Sequence, residues 1–181
     1  VRPDSPIAQA TGYNPSYPNV LGSPETVKGI TMLLPIGTAQ HFTALKWLEN
    51  SVLALLNVNI VNMDTAQAYQ ALQAKQCDAV SLNVPTFFDA ENDGMVQVGN
   101  LADLGTRYVD MVVANRKAVE GQPELVQKYI DCITEACAAL NADPDMAADL
   151  FVEYLKEAGA ETTRENCVSD LSRVNFIEQK D

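Results

Sequence analysis

The sequence predicts an α/β fold with a largely parallel sheet, and three observations carry that prediction. From residue 30 onward, short apolar runs alternate with segments whose apolar residues recur at helical spacing. The longest apolar stretches, such as Ile30–Ile36, have the length of a strand, and none approaches the roughly 18 residues that a membrane-crossing helix needs. From Pro123 onward the spacing is helical.

Residues 1–29 hold Pro3, Pro6, Gly12, Pro15, Pro18, Gly22, Pro24 and Gly29, and read as an extended arm and loop. Within them Ser23 can cap a single helical turn opened by Pro24. Ile30–Pro35 reads as a buried strand, and Gly37–Gln40 as a short turn. Phe42, Leu45, Leu48, Val52 and Leu55 then mark a helix, with Trp47 packing in its middle. Val58–Asn62 is a second strand. Asp64 caps the next helix, whose apolar side includes Ala68 and Leu72, and Gln67 strengthens that start. Asp78–Leu82 is a third strand, and Pro85 opens a short helix through Asp89. Met95–Val98 and Tyr108–Ala114 read as two further strands.

Beyond these, Val126, Tyr129, Ile130, Ile133, Cys137 and Leu140 form one apolar stripe ending near Asn141. Asp143 caps a second helix with Pro144 at its first position, and Gly159 stops it. On that helix Ala147, Leu150, Phe151, Tyr154 and Leu155 face one way. Thr162–Glu165 has the pattern of a capping box for a third helix. These stripes need a surface to cover, and the sheet has helices of its own. Either these helices pack on one another or part of the protein lies outside this chain, and the second is the expectation.

Composition narrows the function. The 181 residues suit one compact domain, or one domain with an appendage; 47% are apolar and 20% charged. Against 24 Asp and Glu stand 12 Lys and Arg, a net charge of −12 that repels nucleic acid and anionic membrane surfaces. Cys77, Cys132, Cys137 and Cys167 form no CxxC pair, and His41 is the sole histidine, so no metal site or cofactor is expected. Their disulfide pairing is not readable; Cys132 and Cys137 read as packed thiols on one helix. A start at Val1 without Met fits a processed or truncated product. Neither a G-x-S-x-G elbow, a phosphate-binding loop nor a dinucleotide fingerprint occurs, so the chain is not expected to be an enzyme.

Six segments, in order, resemble the nitrate, sulfonate and taurine class of periplasmic substrate-binding proteins, which serve ABC importers. Val1–Ile7 resembles the first crossover between lobes, and Val27–Thr38 the "LKGK" strand with its small-residue turn. Met63–Tyr69 with Ala71 and Leu72 resembles the helix before the "DA" strand, here Cys77–Ala79. Val112–Arg116 resembles the return crossover, and Pro123–Lys128 the helix after it. The resemblance implies a type 2 periplasmic-binding-protein lobe, with residues 1–29 as crossover arm and linker, 30–113 as the second ligand-binding lobe, and 114–181 as return crossover and C-terminal helices. It also implies a missing N-terminal lobe, a small anionic or polar ligand, a membrane permease as partner, and a periplasmic or membrane-anchored extracellular location.

The expected ligand-binding residues start with Gly37, Thr38, Ala39, Gln40 and His41. Small residues ahead of a helix leave amides free, and the helix dipole favours an anion there. Thr38 reads either as a cap or as a ligand-facing hydroxyl. Asp64, Asn83 and Thr86 follow strands two and three, where an open α/β sheet lines its crevice. Asp64 suits a cap, and Asn83 stands where the family often has Trp. Arg107 and Tyr108 begin the return strand; Arg107 suits either a bidentate anion contact or a solvated surface charge. Two rival readings are a pyrimidine-synthesising enzyme of the same fold and the effector-sensing domain of a transcription regulator.

Overall fold

The computed structural model describes residues 1–50, 57–159 and 162–177. Val52 and Leu55, expected on the first long helix, lie outside the described residues. The chain forms two compact units, Val1–Val109 and Asp110–Asp181.

The first unit begins with two short helices, α1 (Pro6–Gln9) and α2 (Pro24–Val27), each opened by a proline behind a serine cap. The expected extended arm is thus partly structured. It also supplies Val1, Ile7, Val20 and Val27 to the hydrophobic core, isolated apolar residues between turn formers that lock the segment down. The side chain of Arg2 reaches the carbonyl oxygen of Cys77 at 2.6 Å.

β1 (Thr31–Leu34) lies between β2 (Asn59–Asn62) and β3 (Ala79–Val80), all parallel, in the order β2-β1-β3. The twofold alternation of a strand splits its side chains between two cores. Met32 and Leu34 join one cluster, and Leu33 joins the other. On the first face sits α3 (Ala39–Asn50), contributing Ala44, Trp47 and Leu48. On the second sits α4 (Thr65–Gln73), contributing Ala68, Tyr69 and Leu72. Burial on both faces explains why β1 reads as a continuous apolar run rather than an alternating one. Leu34, Leu48 and Leu72 are fully buried, each stabilising the fold by about 1.5–3 kcal/mol relative to exposure. α5 (Thr86–Asn92) follows β3 and extends three residues past the expected end at Asp89. The Tyr69 hydroxyl donates to the Asp93 carboxylate just beyond α5, tying it to α4.

The expected strands at Met95–Val98 and Tyr108–Ala114 do not form. Residues 96–98 run beside the N-terminal segment, with Val96 N donating to Val1 O, the Val1 amine donating back to Val96 O and Leu21 N donating to Val98 O, but they form no strand. Around Tyr108–Ala114 no strand pairs with the chain among the described residues. Tyr108, Val109, Met111, Val112 and Val113 are exposed, and their amides donate to no described residue. β-rich composition makes a strand only where a partner edge exists.

The second unit is helical: α6 (Arg116–Gly121), α7 (Pro123–Ala142), α8 (Pro144–Glu157) and α9 (Arg164–Leu171). Asp143 caps α8 through the amide of Met146, and Gly159 follows it in the left-handed conformation, φ +79°. α8 and α9 bury Ala147, Ala148, Leu155 and Cys167. Arg164 clamps their N-terminal ends, reaching Asp145 at 2.6 Å and Asp149 at 2.7 Å. α9 is capped by Thr163, which accepts from Asn166, so the capping residue sits one position after the expected Thr162. α7 buries none of its residues. No helix among the described residues is long and apolar enough to cross a membrane.

All four cysteines are free thiols. Cys132 and Cys137 do share α7, but Cys132 is exposed and Cys137 half-buried, which corrects the expectation of packed thiols. Five residues apart, they project from the helix about 140° from one another. Cys77 and Cys167 are buried, and burial pushes the Cys77 thiol above its ordinary pKa. Maleimide labelling at neutral pH, read by peptide mass spectrometry, should therefore modify Cys132 at least ~10 times faster than Cys77 or Cys167. Urea should abolish the difference; comparable native rates at Cys77 and Cys132 would contradict this packing.

Candidate functional site

A parallel sheet delivers every strand C-terminus to one edge, so the connections after β1, β2 and β3 converge there. The strand order places β1 in the middle, with α3 leaving toward one face and α4 packing on the other. In open α/β sheets ligands sit outside the strand C-termini at such a divergence.

The turn after β1 holds five of the expected site residues. Gly37 takes φ +85°, a left-handed conformation that a side chain resists. Its amide donates to His41 Nδ1 at 3.2 Å. Because that nitrogen accepts, the proton of the neutral ring lies on Nε2. The Thr38 hydroxyl donates to Pro35 O at 2.6 Å and accepts from His41 N at 3.4 Å, so it caps α3. The first-turn amides of Ala39 and Gln40 have no intrahelical acceptor.

Three hydrogen bonds lace this turn to its neighbours. Ile36 N donates to Asn62 Oδ1 at 2.9 Å, joining the ends of β1 and β2. Gln40 Nε2 donates to Thr65 Oγ1 at 3.0 Å, at the head of α4. Ser81 Oγ donates to Gln40 O at 2.9 Å from the loop after β3. Asp64 caps α4 by accepting from Ala66 N at 3.0 Å. Ser81 also borders a cavity of about 290 Å³ whose lining includes Thr43, Leu82, Phe87 and Asn100.

The structure thus brings Gly37, Thr38, Gln40 and His41 together and links them to the neighbourhood of Asp64. Asn83 is exposed in the loop after β3, where its carbonyl accepts from Phe87 N at 2.9 Å. Thr86 opens α5 beyond the cis Val84–Pro85 peptide. Arg107 and Tyr108 are exposed at the end of the first unit and bond to none of the other candidates. Sequence reasoning missed Thr65 and Ser81. Their only signal is a hydroxyl placed within three residues of a strand end.

A family model described as NMT1/THI5 like matches residues 19–147. A protein of Brachyspira hyodysenteriae described as an ABC transporter periplasmic binding protein is 39% identical over 177 residues, spanning 98% of this chain and 51% of the relative. The fold is similar to that of the periplasmic aliphatic sulphonate binding protein SsuA from Escherichia coli, with a TM-score of 0.65 at 20% identity over 89% of this chain and 53% of that one. A second similar structure is the alkanesulfonate-binding protein SsuA from Xanthomonas axonopodis pv. citri bound to MOPS, with a TM-score of 0.63 at 19% identity over 81% of this chain and 50% of that one. The chain therefore spans about half the length of the relatives it matches.

Proposed function

The chain belongs to the NMT1/THI5-like family, and from that premise we propose that it is the second lobe and C-terminal helices of an extracytoplasmic solute-binding protein serving an ABC importer. Its fold is the type 2 periplasmic-binding-protein lobe, a small parallel sheet flanked by helices. Residues 30–113 act as the ligand-binding lobe, 1–29 as crossover arm, and 114–181 as return crossover and tail. The ligand is a small anion or polar molecule of the sulfonate, nitrate or taurine kind, delivered to a membrane permease.

One observation carries the reading: the laced polar edge at the C-terminal ends of the strands, with Gln40 bonded to both neighbouring connections. It presents helix-end amides and small residues to an incoming anion without moving. Gly37, Thr38, Ala39, Gln40 and His41 form the seat, and Asp64, Asn83, Thr86, Arg107 and Tyr108 surround the cleft.

The remaining length of the relatives supplies the opposing wall, an N-terminal lobe. Exposed apolar side chains support that inference, with Met111 79% and Val113 86% accessible and α7 carrying exposed Leu125 and Tyr129. Ligand contacts from both walls then favour the closed form that the permease recognises.

Thermal-shift screening against methanesulfonate, taurine, nitrate and simple carboxylates tests the proposal. In the full-length product, a matched ligand at about 100 times its Kd adds ~2.7 kcal/mol of stability. Thr38→Ala should weaken that ligand about tenfold, judged against the variant's own ligand-free Tm. The 181-residue chain alone should bind weakly or not at all. Micromolar binding by the chain alone would remove the need for an opposing wall, and silence of the full-length product toward every compound would sink the transport reading.

A further inference from the structure

We propose that Tyr108–Val113 is a β-strand whose sheet lies in the half of the full-length protein beyond this chain. The ligand-binding lobe then ends near Arg107 rather than at Val113, and the segment after it is built into the opposing lobe. The proposal deepens the two-lobed reading above and rests on it. Five of these six consecutive residues are large and apolar, and all five are exposed. Tyr108, Val109 and Val112 stand 51%, 53% and 61% accessible, Met111 79% and Val113 86%. Single apolar residues are ordinary on a surface, whereas an unbroken run of this size marks a face that something covers.

Composition and backbone agree on the kind of element this is. Tyr108, Val109, Val112 and Val113 are strand formers. The segment holds no Gly, Ser or Pro, the residues of a linker. α6 does not reach back into it, because Asn115 caps that helix by accepting from Lys117 N. No main-chain amide or carbonyl from 108 to 114 bonds to a described residue, so the backbone is free to join a ladder. Side chains of a strand alternate between its faces. Val109, Met111 and Val113 then share one wholly apolar face, while Asp110, the segment's single charge, sits on the other between Tyr108 and Val112. The first face suits a core, and burial of Asp110 is too costly for its own face to be anything but a solvent-facing rim there.

Whatever covers the segment must bring a sheet edge and an apolar layer together. Among the described residues the chain's own sheet, β2-β1-β3, takes no fourth strand. The boundary between the two compact units falls inside the segment, between Val109 and Asp110, so neither unit encloses it. The binding-protein relative extends about as far again beyond the stretch that matches, which is 51% of its length. That much chain is enough for a second α/β lobe, and such a lobe offers edge and core at once. A second copy of this chain is the competing occupant.

Hydrogen exchange read by mass spectrometry, on the full-length product and on the 181-residue chain, tests the strand. The amides of residues 109–113 should exchange at least ~100 times more slowly in the full-length product than in the chain alone. Equal rates in the two overturn the proposal. Protection in the chain alone that grows with its concentration also overturns it, because the occupant is then a second copy. Side chains give an independent measure. Val113→Ser should leave the urea midpoint of the 181-residue chain unchanged and lower the Tm of the full-length product by at least ~2 °C. Asp110→Ser should be silent in both. A full-length Tm that ignores Val113→Ser, or falls as far with Asp110→Ser, contradicts the assigned faces and overturns the strand. The transport reading fails separately: protection without any ligand response upholds the strand and sinks transport, whereas a ligand response with an unprotected segment sinks the strand alone.

Discussion

Replacing Trp47 by alanine should destabilise the first unit by about 3–5 kcal/mol. The indole is 3% exposed, and its Nε1 donates to Leu21 O at 2.9 Å. It packs so closely on the N-terminal segment that a Cβ on Gly22 would meet its Cζ2 at 3.2 Å, and one on Gly99 its Cδ1 at 3.5 Å. Truncation leaves a void between α3 and that segment together with an unpaired carbonyl. Trp47→Phe keeps most of the apolar area and loses the donor, so about 1–3 kcal/mol is expected. Urea denaturation followed by circular dichroism gives both values. A cost below ~1 kcal/mol for Trp47→Ala would mean that the N-terminal segment does not seat against α3 in solution.

Leu72→Ala should cost about 2–5 kcal/mol on the other face of the sheet. Leu72 is fully buried between α4, Leu33 and the residues around Ala90. Leu150→Ala on α8 makes the contrast, since that side chain is 49% exposed and should stay within about 0.5 kcal/mol of the parent. Equal costs at the two leucines would overturn the assignment of the second core to α4. The pair is informative because both residues occupy apolar positions of an amphipathic helix, and sequence periodicity alone ranks them alike.

That contrast marks where sequence reasoning stops. β1, β2, β3 and the helices after them were legible because each has a local signature: an apolar run, a cap at Asp64 or Asp143, a glycine stop at Gly159. The strands expected at Met95–Val98 and Tyr108–Ala114 failed because pairing is not a local property. Val1, Ile7, Val20 and Val27 were hidden for a related reason, since single apolar residues among prolines carry no period. At the site, the turn at Gly37–His41 was legible from its small residues ahead of a helix. The bonds that fasten it were not, because Gln40 meets Thr65 and Ser81 across separations of 25 and 41 residues. No spacing rule connects such positions; only the strand order does.

The lacing of the three connections has a consequence for how such a lobe diversifies. Two of its three bonds engage main-chain atoms of the first turn, the Ile36 amide and the Gln40 carbonyl, which survive any substitution there other than proline. The scaffold is thus anchored through Asn62 and Ser81, and only the third bond, from Gln40 to Thr65, depends on a side chain of the turn. If the turn seats the solute as proposed, selection can rewrite its side chains one at a time and retune preference among related anions, while the frame keeps its bonds and the ordering cost of capture stays low. Change at Asn62 or Ser81 instead loosens the platform for every solute alike.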